Sequence, residues 1–386
     1  MIIVIADDFT GAAEITGIGL QYGLSIRLQT DFEITRDTDM VVIDTDSRSG
    51  SEDEARAKLA SFTDTCVLET TDILYKKCDS VLRGYVVAEL EELLNGFGFD
   101  RALLLPVNPS LMRTISEGKY LINGCELQLT EFANDPEYPT TSADILDILG
   151  ESKVYNIIST SPGAVREEKG LIIGDVTSAN ELMNWADALD GDTIPVGAAD
   201  YFAAILDCLK IGSGTSTKTH LEKDDKGNTL YILGSNSAVS RETVARLSDE
   251  CPTFTPLPCD VTSSELFSKN WLTQWISQVD SAIKEHGYAI ATIDQPVHHS
   301  DGVSARLAEL TALLVERVFE INEIEKLVIE GGATASKVLR QLGLKKFEPI
   351  EKLANGVIAL RNVETSLSVI TKVGSYPWPD GLLPLA

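Results

Sequence analysis

Two adjacent carboxylates follow the first apolar run of the chain. The run covers residues 2–6, and Asp7, Asp8, Thr10 and Gly11 come after it. Neighbouring carboxylates repel each other unless a cation or a hydroxyl ligand separates them. A helix cap would account for one short polar residue at this place, but not for two adjacent acids. The pair therefore favours a ligand-binding site over a simple cap.

A second motif combines cations with a carboxylate and a hydroxyl. Lys77, Asp79, Ser80 and Arg83 follow the apolar run of residues 73–75. Ammonium and guanidinium groups bind an acid group, while an aspartate or a serine binds hydroxyls. Such a set can hold a carboxylic acid that carries several hydroxyl groups. From the spacing alone, solvated cations beside a helix cap explain the motif equally well.

Two further polar segments follow predicted strands. Residues 106–124 form a long polar stretch that contains Arg113, and a long loop after a strand is often functional. Residues 44–48, with the sequence Asp-Thr-Asp-Ser-Arg, are a similar strand end. A cluster of this second kind more often serves turn formation. Arg113 is therefore a candidate ligand-binding residue, and residues 44–48 are interpreted as a turn.

Glycine-rich turns mark the C-terminal half of the chain. They lie at residues 234–237 and 331–334, and a third segment, residues 372–376, follows the last predicted strand. Turns of this kind let backbone N–H groups converge on a phosphate at a helix N-terminus. One alone is a weak indication, but together they favour a nucleotide site, although the chain has no GxxxxGK(S/T) motif. No GxGxxG fingerprint opens a helix either, which argues against a dinucleotide-binding oxidoreductase.

Apolar runs alternate with helical patterns along the chain, which indicates βαβ units. Continuous apolar runs are typical of strands buried on both faces of a parallel sheet. We therefore predict an α/β fold with two domains, each with a mainly parallel sheet flanked by helices. The predicted strands are residues 2–6, 40–43, 73–75, 103–107, 154–158, 193–196, 230–233, 288–293, 326–329 and 366–371. The predicted helices are residues 52–62, 81–94, 180–189, 238–248, 264–285, 304–321 and 335–342.

The length of 386 residues also fits two domains. Residues 212–228 are rich in glycine, serine, threonine and charge and almost lack apolar side chains, as linkers do. The sequence therefore predicts one domain at residues 1–211 and a second at residues 229–386, with this linker between them.

Composition limits the partners and the location. The chain has 32 Lys and Arg against 59 Asp and Glu, a formal net charge of −27 that repels nucleic acid and anionic membranes. The cysteines lack CxxC spacing and the histidines lack HExxH spacing, so the sequence assigns no metal ligands. The N-terminal apolar run is too short for a signal peptide, and no run reaches the ~20 residues that span a bilayer. A cytoplasmic protein that binds neither nucleic acid nor membranes is expected.

In their order along the chain, the motifs resemble those of the four-carbon acid sugar kinases. The matching segments are ADDFTGA from residue 6, KCDSVLRG from 77, the polar stretch 106–124, GSNS from 234, GGAT from 331 and TKVGSYP from 371. The resemblance implies an enzyme that uses ATP to phosphorylate threonate, erythronate or their 3-oxo derivatives. It also implies that the N-terminal domain binds the sugar acid, that the C-terminal domain binds the nucleotide, and that the active site lies in the cleft between them.

The motifs and the resemblance together predict the site residues. Phosphoryl transfer to a hydroxyl, expected to be the terminal one, uses Mg²⁺ to bridge phosphate oxygens and an aspartate to accept the hydroxyl proton. Asp8 and Asp79 are the candidate proton acceptors, and the sequence does not choose between them. The residues expected to contact the acid are Asp7, Thr10, Lys77, Ser80, Arg83 and Arg113, with Lys77 and Arg83 holding its carboxylate or the moving phosphoryl group. The residues expected to contact ATP are Ser235, Ser237, Gly331, Gly332, Ala333, Thr334, Lys372, Gly374 and Ser375.

The nucleotide motifs depart from the family pattern at three places, one of which is Gly356-Val357-Ile358, where the family has a GVP turn. Ala333 replaces the glutamate of the usual GGET, and Pro377 replaces the last glycine of KxGGFG, which stiffens that loop and removes an N–H. An alternative therefore stays open: a non-catalytic protein that binds or senses the sugar acid and whose nucleotide site has drifted. The sequence does not decide which acid is bound or whether the chain forms a homo-oligomer.

Overall fold

The computed structural model describes residues 1–135, 138–160, 169–212, 227–258, 270–294 and 303–384. The chain divides into two compact units, Met1–Thr217 and Lys218–Ala386. Residues 213–226 of the predicted linker lie outside the described residues, so the linker bounds stay a prediction. Within the described part of the chain, no helix has the length and apolar content needed to cross a membrane.

The first unit alternates strands and helices over most of its length. Its strands are β1 Ile2–Ala6, β2 Ile26–Gln29, β3 Met40–Asp44, β4 Ile73–Lys77, β5 Arg101–Leu105, β6 Arg113–Ser116, β7 Lys119–Ile122, β8 Cys125–Glu126, β9 Ile157–Thr160, β10 Gly170–Gly174 and β11 Thr193–Gly197. Its α-helices are α1 Phe9–Gln21, α2 Glu52–Thr65, α3 Val86–Phe97, α4 Ile145–Leu149, α5 Ala179–Asp187 and α6 Ala199–Cys208.

The main sheet of the first unit is parallel, with the strand order β2-β3-β1-β4-β11-β5-β10-β9. Strand β1 is buried along its whole length, as its continuous apolar sequence predicts. From β1 the chain continues to β2 and β3 on one side and then crosses to β4 on the other. A reversal of this kind opens a crevice at the carboxyl ends of the strands, where ligands of α/β proteins bind. Strands β6, β7 and β8 form a separate antiparallel sheet.

The second unit has the same kind of organisation. Its sheet has the order β13-β14-β12-β15-β18-β17-β16, with parallel pairing from β13 to β18 and antiparallel pairing among β18, β17 and β16. Its strands are β12 Asn228–Leu233, β13 Phe254–Pro256, β14 Tyr288–Thr292, β15 Ile324–Glu330, β16 Lys346–Ala354, β17 Val357–Asn362 and β18 Ser368–Lys372. Its helices are α7 Ala238–Glu250, α8 Asn270–His286, α9 Val303–Ile321 and α10 Gly332–Gln341. The predicted α/β class is confirmed.

The largest difference from the predicted elements lies at residues 79–85. The helix predicted at residues 81–94 begins at Val86, because Leu82 and Gly84 have φ values of 63° and 93° in the left-handed region. Strand β4, in contrast, continues two residues past its predicted end. Residues 79–85 therefore form a turn at the carboxyl edge of the sheet, and neither Asp79 nor Ser80 caps α3, whose N-cap is Tyr85.

Other elements were missed for local reasons. Strand β2 is only four residues long and includes Arg27, so its apolar pattern is weak. The antiparallel strands β6 to β8 lie in the stretch interpreted as a polar loop. The strand predicted from Ser366 begins at Ser368, because Ser366 has a φ of 63°. The first part of the helix predicted at residues 264–285 lies outside the described residues.

Candidate functional site

Three neighbouring strands of the first unit end in charged residues. Asp7 and Asp8 follow β1, Arg48 lies four residues after β3, and Lys77 ends β4. In the registered sheet Ala6 is paired with the last residue of β3 and with the last residue of β4. The charged groups therefore meet at one edge of the sheet, the edge at which α/β proteins bind ligands.

Arg48 is the central cation of this cluster. Its Nε and Nη2 lie 2.8 and 2.7 Å from Oδ2 of Asp7, and Nη2 lies 3.1 Å from Oδ1 of Asp8. Its Nη1 lies 3.7 Å from Oδ1 of Asp79. Gly84 makes room for this side chain, since a Cβ there would lie 3.1 Å from Cγ of Arg48. The adjacent carboxylates noted in the sequence are thus separated by a guanidinium of the protein itself.

Sequence reasoning missed Arg48. Its segment, residues 44–48, was interpreted as a turn, and nothing in its composition distinguishes it from one. Its position could have identified it, because it follows β3, the strand next to β1. Strand order, however, is not available from the sequence alone. Asp7 and Asp8 needed a cation, and the neighbouring strand end supplies it.

Asp8 serves both as a helix cap and as part of the cluster. Its Oδ1 accepts from the backbone N–H of Gly11 at 2.9 Å, and its Oδ2 accepts from Oγ1 of Thr10 at 2.7 Å. Burial alone would raise the pKa of Asp8, but Arg48, Lys77 and these hydrogen bonds hold it below its usual value. Asp8 is therefore the N-cap of α1, the role considered in the sequence analysis as the alternative to a binding site.

Asp79 is fully engaged by its own turn. Its Oδ2 accepts from the backbone N–H groups of Val81 at 3.2 Å and of Arg83 at 3.1 Å, and from Nε of Arg83 at 3.0 Å. Its Oδ1 accepts from Nη2 of Arg83 at 2.8 Å. Burial alone would raise the pKa of Asp79, but Arg83 and Arg48 hold it well below its usual range. Asp79 is therefore an ionised carboxylate with both oxygens occupied.

Asp7 differs from the other two aspartates. Arg48 binds its Oδ2, but its Oδ1 is buried and accepts no hydrogen bond in the described structure. A buried carboxylate oxygen without a donor costs free energy, which a hydroxyl group of a bound molecule would recover. Oδ1 of Asp7 is therefore an acceptor of the charged cluster that is available to a ligand.

The two lysines of β4 point to opposite faces of the sheet, as successive residues of a strand do. Nζ of Lys77 donates to the carbonyl of Cys78 at 2.8 Å and lies 3.7 Å from Oε2 of Glu14 on α1. Nζ of Lys76 lies 2.7 Å from Oε2 of Glu89 on α3. Both ammonium groups are buried, and each has a carboxylate of the protein on its own face.

A long insertion between β5 and β9 adds further groups to the cluster. We call its described residues, 108–135 and 138–145, the excursion. Arg113, at the start of β6, donates from Nη1 to Oγ of Ser80, and its guanidinium lies 5.6 Å from the ring centroid of Phe132. Arg83 lies over the same ring at 5.8 Å. The excursion thus holds Arg113 against the turn after β4. The aromatic residues of the excursion, Phe132 and Tyr138, lie outside every motif of the sequence analysis.

In the second unit the three predicted glycine-rich segments meet at one edge of the sheet. They follow β12, β15 and β18, which are neighbours. A Cβ on Gly374 would lie 2.2 Å from Oγ of Ser235, and a Cβ on Gly234 would lie 2.1 Å from Oγ1 of Thr334. Gly331 has a φ of 99°, which favours glycine. Side chains at these glycines would fill the space between the loops. The glycines therefore leave an open space, which we call the glycine cradle, lined by backbone and hydroxyl groups.

Helix α10 begins in this cradle without a side-chain cap. Its N-cap is Gly331, so the N–H groups of its first turn, at Gly332 and Ala333, lack a capping acceptor. Ser237 in contrast caps α7 through the backbone N–H of Ser240 and donates to the carbonyl of Gly374 at 2.7 Å. An open helix N-terminus between glycine loops has the chemistry of a phosphate site. Ser375, half-buried, lies in the third of these loops.

Lys372 ends β18 and forms a buried ion pair. It was expected to contact a bound nucleotide, but its Nζ is buried 2.7 Å from Oε1 of Glu330 and donates to the carbonyls of Val373 and Gly374 at 2.9 and 3.3 Å. Oε2 of Glu330 accepts from Oγ of Ser240 at 2.6 Å. Lys372 therefore has its donors inside the protein, and it positions the loop after β18.

Two family models match the chain. Residues 2–204 match the sugar-binding N-terminal domain, and residues 230–376 match the nucleotide-binding C-terminal domain. The chain belongs to the four-carbon acid sugar kinase family. The family that the motifs predict is thus confirmed, and the charged cluster lies in the sugar-binding domain of this kinase family while the glycine cradle lies in its nucleotide-binding domain.

The similarity to individual kinases covers both domains. A D-threonate kinase of Salmonella typhimurium is 25% identical, and the match covers 97% of this chain and 95% of that protein. A 3-oxo-tetronate kinase of Haemophilus influenzae is 24% identical, with 98% of each chain covered. A D-erythronate kinase of Heliobacterium modesticaldum is 22% identical, with 90% of this chain and 87% of that protein covered.

Solved structures have the same fold. A Haemophilus influenzae protein superposes with a TM-score of 0.66 at 20% identity, covering 98% of this chain and 97% of its own. A Salmonella typhimurium protein superposes with a TM-score of 0.74 at 18% identity, covering 97% of this chain and 96% of its own. The α/β architecture of this kinase family therefore extends over nearly the whole chain.

The buried pair in the nucleotide-binding domain gives a first prediction. We expect Glu330→Gln to lower the free energy of unfolding by about 1.5–3 kcal/mol at pH 7, because Lys372 loses its charged acceptor. Burial lowers the pKa of Lys372 while Glu330 offsets part of that shift. Without the carboxylate the pKa falls further, so Lys372 loses its proton at a lower pH and the destabilisation shrinks as the pH rises toward 10.

Urea unfolding followed by tryptophan fluorescence measures this effect, since Trp271, Trp275 and Trp378 all lie in the second unit. The matched control is Glu325→Gln, an exposed glutamate on the same strand, which we expect to be neutral. Equal stability of the Glu330 variant and the control at pH 7 would contradict the prediction.

Proposed function

We propose that the protein is an ATP-dependent kinase that phosphorylates a hydroxyl, the terminal one, of a four-carbon sugar acid. The observation that carries the proposal is the continuous match of both domains to kinases named for D-threonate, 3-oxo-tetronate and D-erythronate. A sugar-binding domain alone would suit a sensor, whereas a sugar-binding and a nucleotide-binding domain in one chain suit a phosphotransferase. The charged cluster and the glycine cradle support the two binding roles.

The acid binds at the charged cluster of the first unit. The ligand-facing groups are the free oxygen of Asp7, the hydroxyls of Thr10 and Ser80, and the guanidinium of Arg113. A four-carbon acid needs acceptors and donors for its hydroxyls and a cation for its carboxylate, and this set contains both. Lys77 and Arg83 were expected to hold the carboxylate, but each is neutralised by carboxylates of the protein. They position the turn and α1 instead.

The contacts favour Asp7 as the proton acceptor over Asp8 and Asp79. In the transfer step the acid's hydroxyl oxygen attacks the γ-phosphorus of ATP, the bond from that phosphorus to the β,γ-bridging oxygen breaks, and ADP leaves with its electron pair. The hydroxyl proton passes to a carboxylate oxygen. Asp8 and Asp79 have both oxygens occupied by donors, while Oδ1 of Asp7 has none.

ATP binds in the glycine cradle of the second unit. The N–H groups of Gly332 and Ala333 and the hydroxyls of Ser235 and Thr334 are suited to phosphate oxygens. Among the described residues no group of three or more His, Cys, Asp or Glu side chains is placed to hold a metal ion. Mg²⁺ bound together with ATP would contact its phosphates and neutralise part of their negative charge.

ADP release tests the proposal. We expect turnover with at least one of D-threonate, D-erythronate and 3-oxo-tetronate, and a rise in melting temperature on adding ATP with Mg²⁺. No turnover with any of these acids, together with no ATP-induced rise, would overturn it. Calorimetric heat with an acid but none with ATP would favour the non-catalytic binder that the departures at Ala333 and Pro377 left open.

A further inference from the structure

The cations of the charged cluster differ in whether the protein already neutralises them. Arg48 contacts Asp7, Asp8 and Asp79, and Arg83 binds Asp79 through two nitrogens. Arg83 also lies 3.1 Å from Asp135, and Lys77 has Glu14 and a backbone carbonyl. An incoming carboxylate at any of these cations would meet the negative charge of the existing partner at close range. These three cations are therefore poor binders of an anionic ligand.

Arg113 is the exception in the cluster. Among the residues that the structure describes, no carboxylate lies within ion-pair distance of its guanidinium. Its partners in the described structure are Oγ of Ser80 and the ring of Phe132, both uncharged. A guanidinium has five N–H donors in a planar fork, and Ser80 uses one of them. In a chain of net charge −27, a half-buried cation without an acid partner is available to bind an anionic ligand.

The free guanidinium is also held in place. The backbone of Arg113 exchanges hydrogen bonds with Asn108, with 3.0 Å for each of the two N···O distances. Arg113 and Arg83 both lie over the ring of Phe132, and Arg83 is fixed by Asp79 and Asp135. Such a side chain loses little conformational entropy when it binds a ligand. Its partner Ser80 directly follows Asp79, and Asp79 lies beside Arg48. Arg113 is therefore joined to the charged cluster through Ser80.

We propose that Arg113 binds the carboxylate of the sugar acid through two of its remaining N–H donors and so makes the site select acids over uncharged polyols. The proposal deepens the proposed function and rests on it for the identity of the ligand. A planar carboxylate matches the guanidinium fork in bidentate geometry, which an ammonium or an amide does not reproduce. Arg113 is then the residue that determines the specificity for acids, and the excursion positions it beside the turn after β4.

Calorimetric titration tests the assignment without requiring turnover. The probes are D-threonate, D-erythronate and 3-oxo-tetronate, each compared with its neutral amide. We expect the wild type to bind at least one acid about 10- to 100-fold more tightly than its amide, as a charged bidentate contact predicts. In Arg113→Gln this preference should fall below about threefold, with Arg113→Lys between the two. The matched control is Lys119→Gln, an exposed cation on β7 of the same small sheet, which should keep the preference.

The outcomes separate this inference from the proposed function. If Arg113→Gln folds, with an unchanged melting temperature, and still prefers the acid as strongly as the wild type, the inference is wrong. If Arg113→Gln unfolds, the titration of Arg113→Lys decides: full retention of the acid preference contradicts a bidentate contact. Acid binding that depends on Arg113, with neither ADP release nor an ATP-induced rise in melting temperature, would overturn the kinase proposal and leave this inference standing. Absence of acid binding in the wild type overturns both.

Discussion

Replacing Arg48 by methionine is expected to lower the free energy of unfolding by about 3–5 kcal/mol and to remove detectable kinase turnover. The guanidinium lies within 3.7 Å of the carboxylates of Asp7, Asp8 and Asp79, all of which are buried. Methionine fills much of the same volume but leaves these carboxylates without their shared cation. Their mutual repulsion then acts in a region of low dielectric, and the edge of the sheet where the acid binds loses its geometry.

Urea unfolding and steady-state ADP release measure the two effects. The matched control is Arg27→Met: Arg27 is 13% exposed, close to the 14% of Arg48, but the acid it pairs with, Asp37, is 59% exposed. We expect that control to lose less than about 1 kcal/mol. Arg48→Lys should recover part of the stability, because an ammonium reaches fewer of the carboxylates. A variant Arg48→Met as stable as the control would show that the aspartates do not depend on Arg48.

The second large effect is expected for Asp7→Asn, whose kcat should fall about 10²- to 10⁴-fold, the usual contribution of a proton acceptor. The amide oxygen can keep the contact with Arg48, while the amide nitrogen replaces Oδ1, the free acceptor, by a donor. The acid then loses the hydrogen bond that Oδ1 would accept, and its hydroxyl proton has no carboxylate to go to. Kinetics at saturating acid and ATP separate kcat from KM and test this directly.

Asp8→Asn is the control for this assignment. Asparagine caps helices about as well as aspartate, so α1 keeps its N-terminus. We expect this variant to keep kcat within about tenfold of the wild type, since its carboxylate is already occupied by donors. Two results would contradict the role of Asp7: a kcat of Asp7→Asn close to that of the wild type, or an equal loss in both variants.

Much of the fold could be predicted from the sequence because the buried strands are continuous apolar runs. β1, β3 and β11 lie within one residue of their predicted positions. The turn at residues 79–85 was missed because Leu82 adopts a left-handed conformation that its residue type disfavours. A leucine with periodic apolar neighbours indicates a helix, and the tertiary contacts of Asp79 and Arg83 override that local preference.

The residue types of the candidate site were largely predictable, but their pairing was not. Motifs along the chain identified Asp7, Asp79 and Arg83 as site residues without showing that a protein carboxylate already neutralises Arg83. Lys372 illustrates the same limit: it was predicted to follow the last parallel strand directly and is the last residue of that strand, whereas its burial against Glu330 was not predicted. Which cation stays available for a ligand depends on strand order, which the sequence alone does not reveal.

The opposite orientation of the two lysines on β4 has a consequence for how faithfully the sheet assembles. Lys76 needs Glu89 on one face and Lys77 needs Glu14 on the other. A slip of β4 by one residue would exchange the faces of both ammonium groups: one lysine would take the place of the other, and the second would be buried without its carboxylate. Loss of register in β4 is therefore penalised at the end of the strand where the site forms.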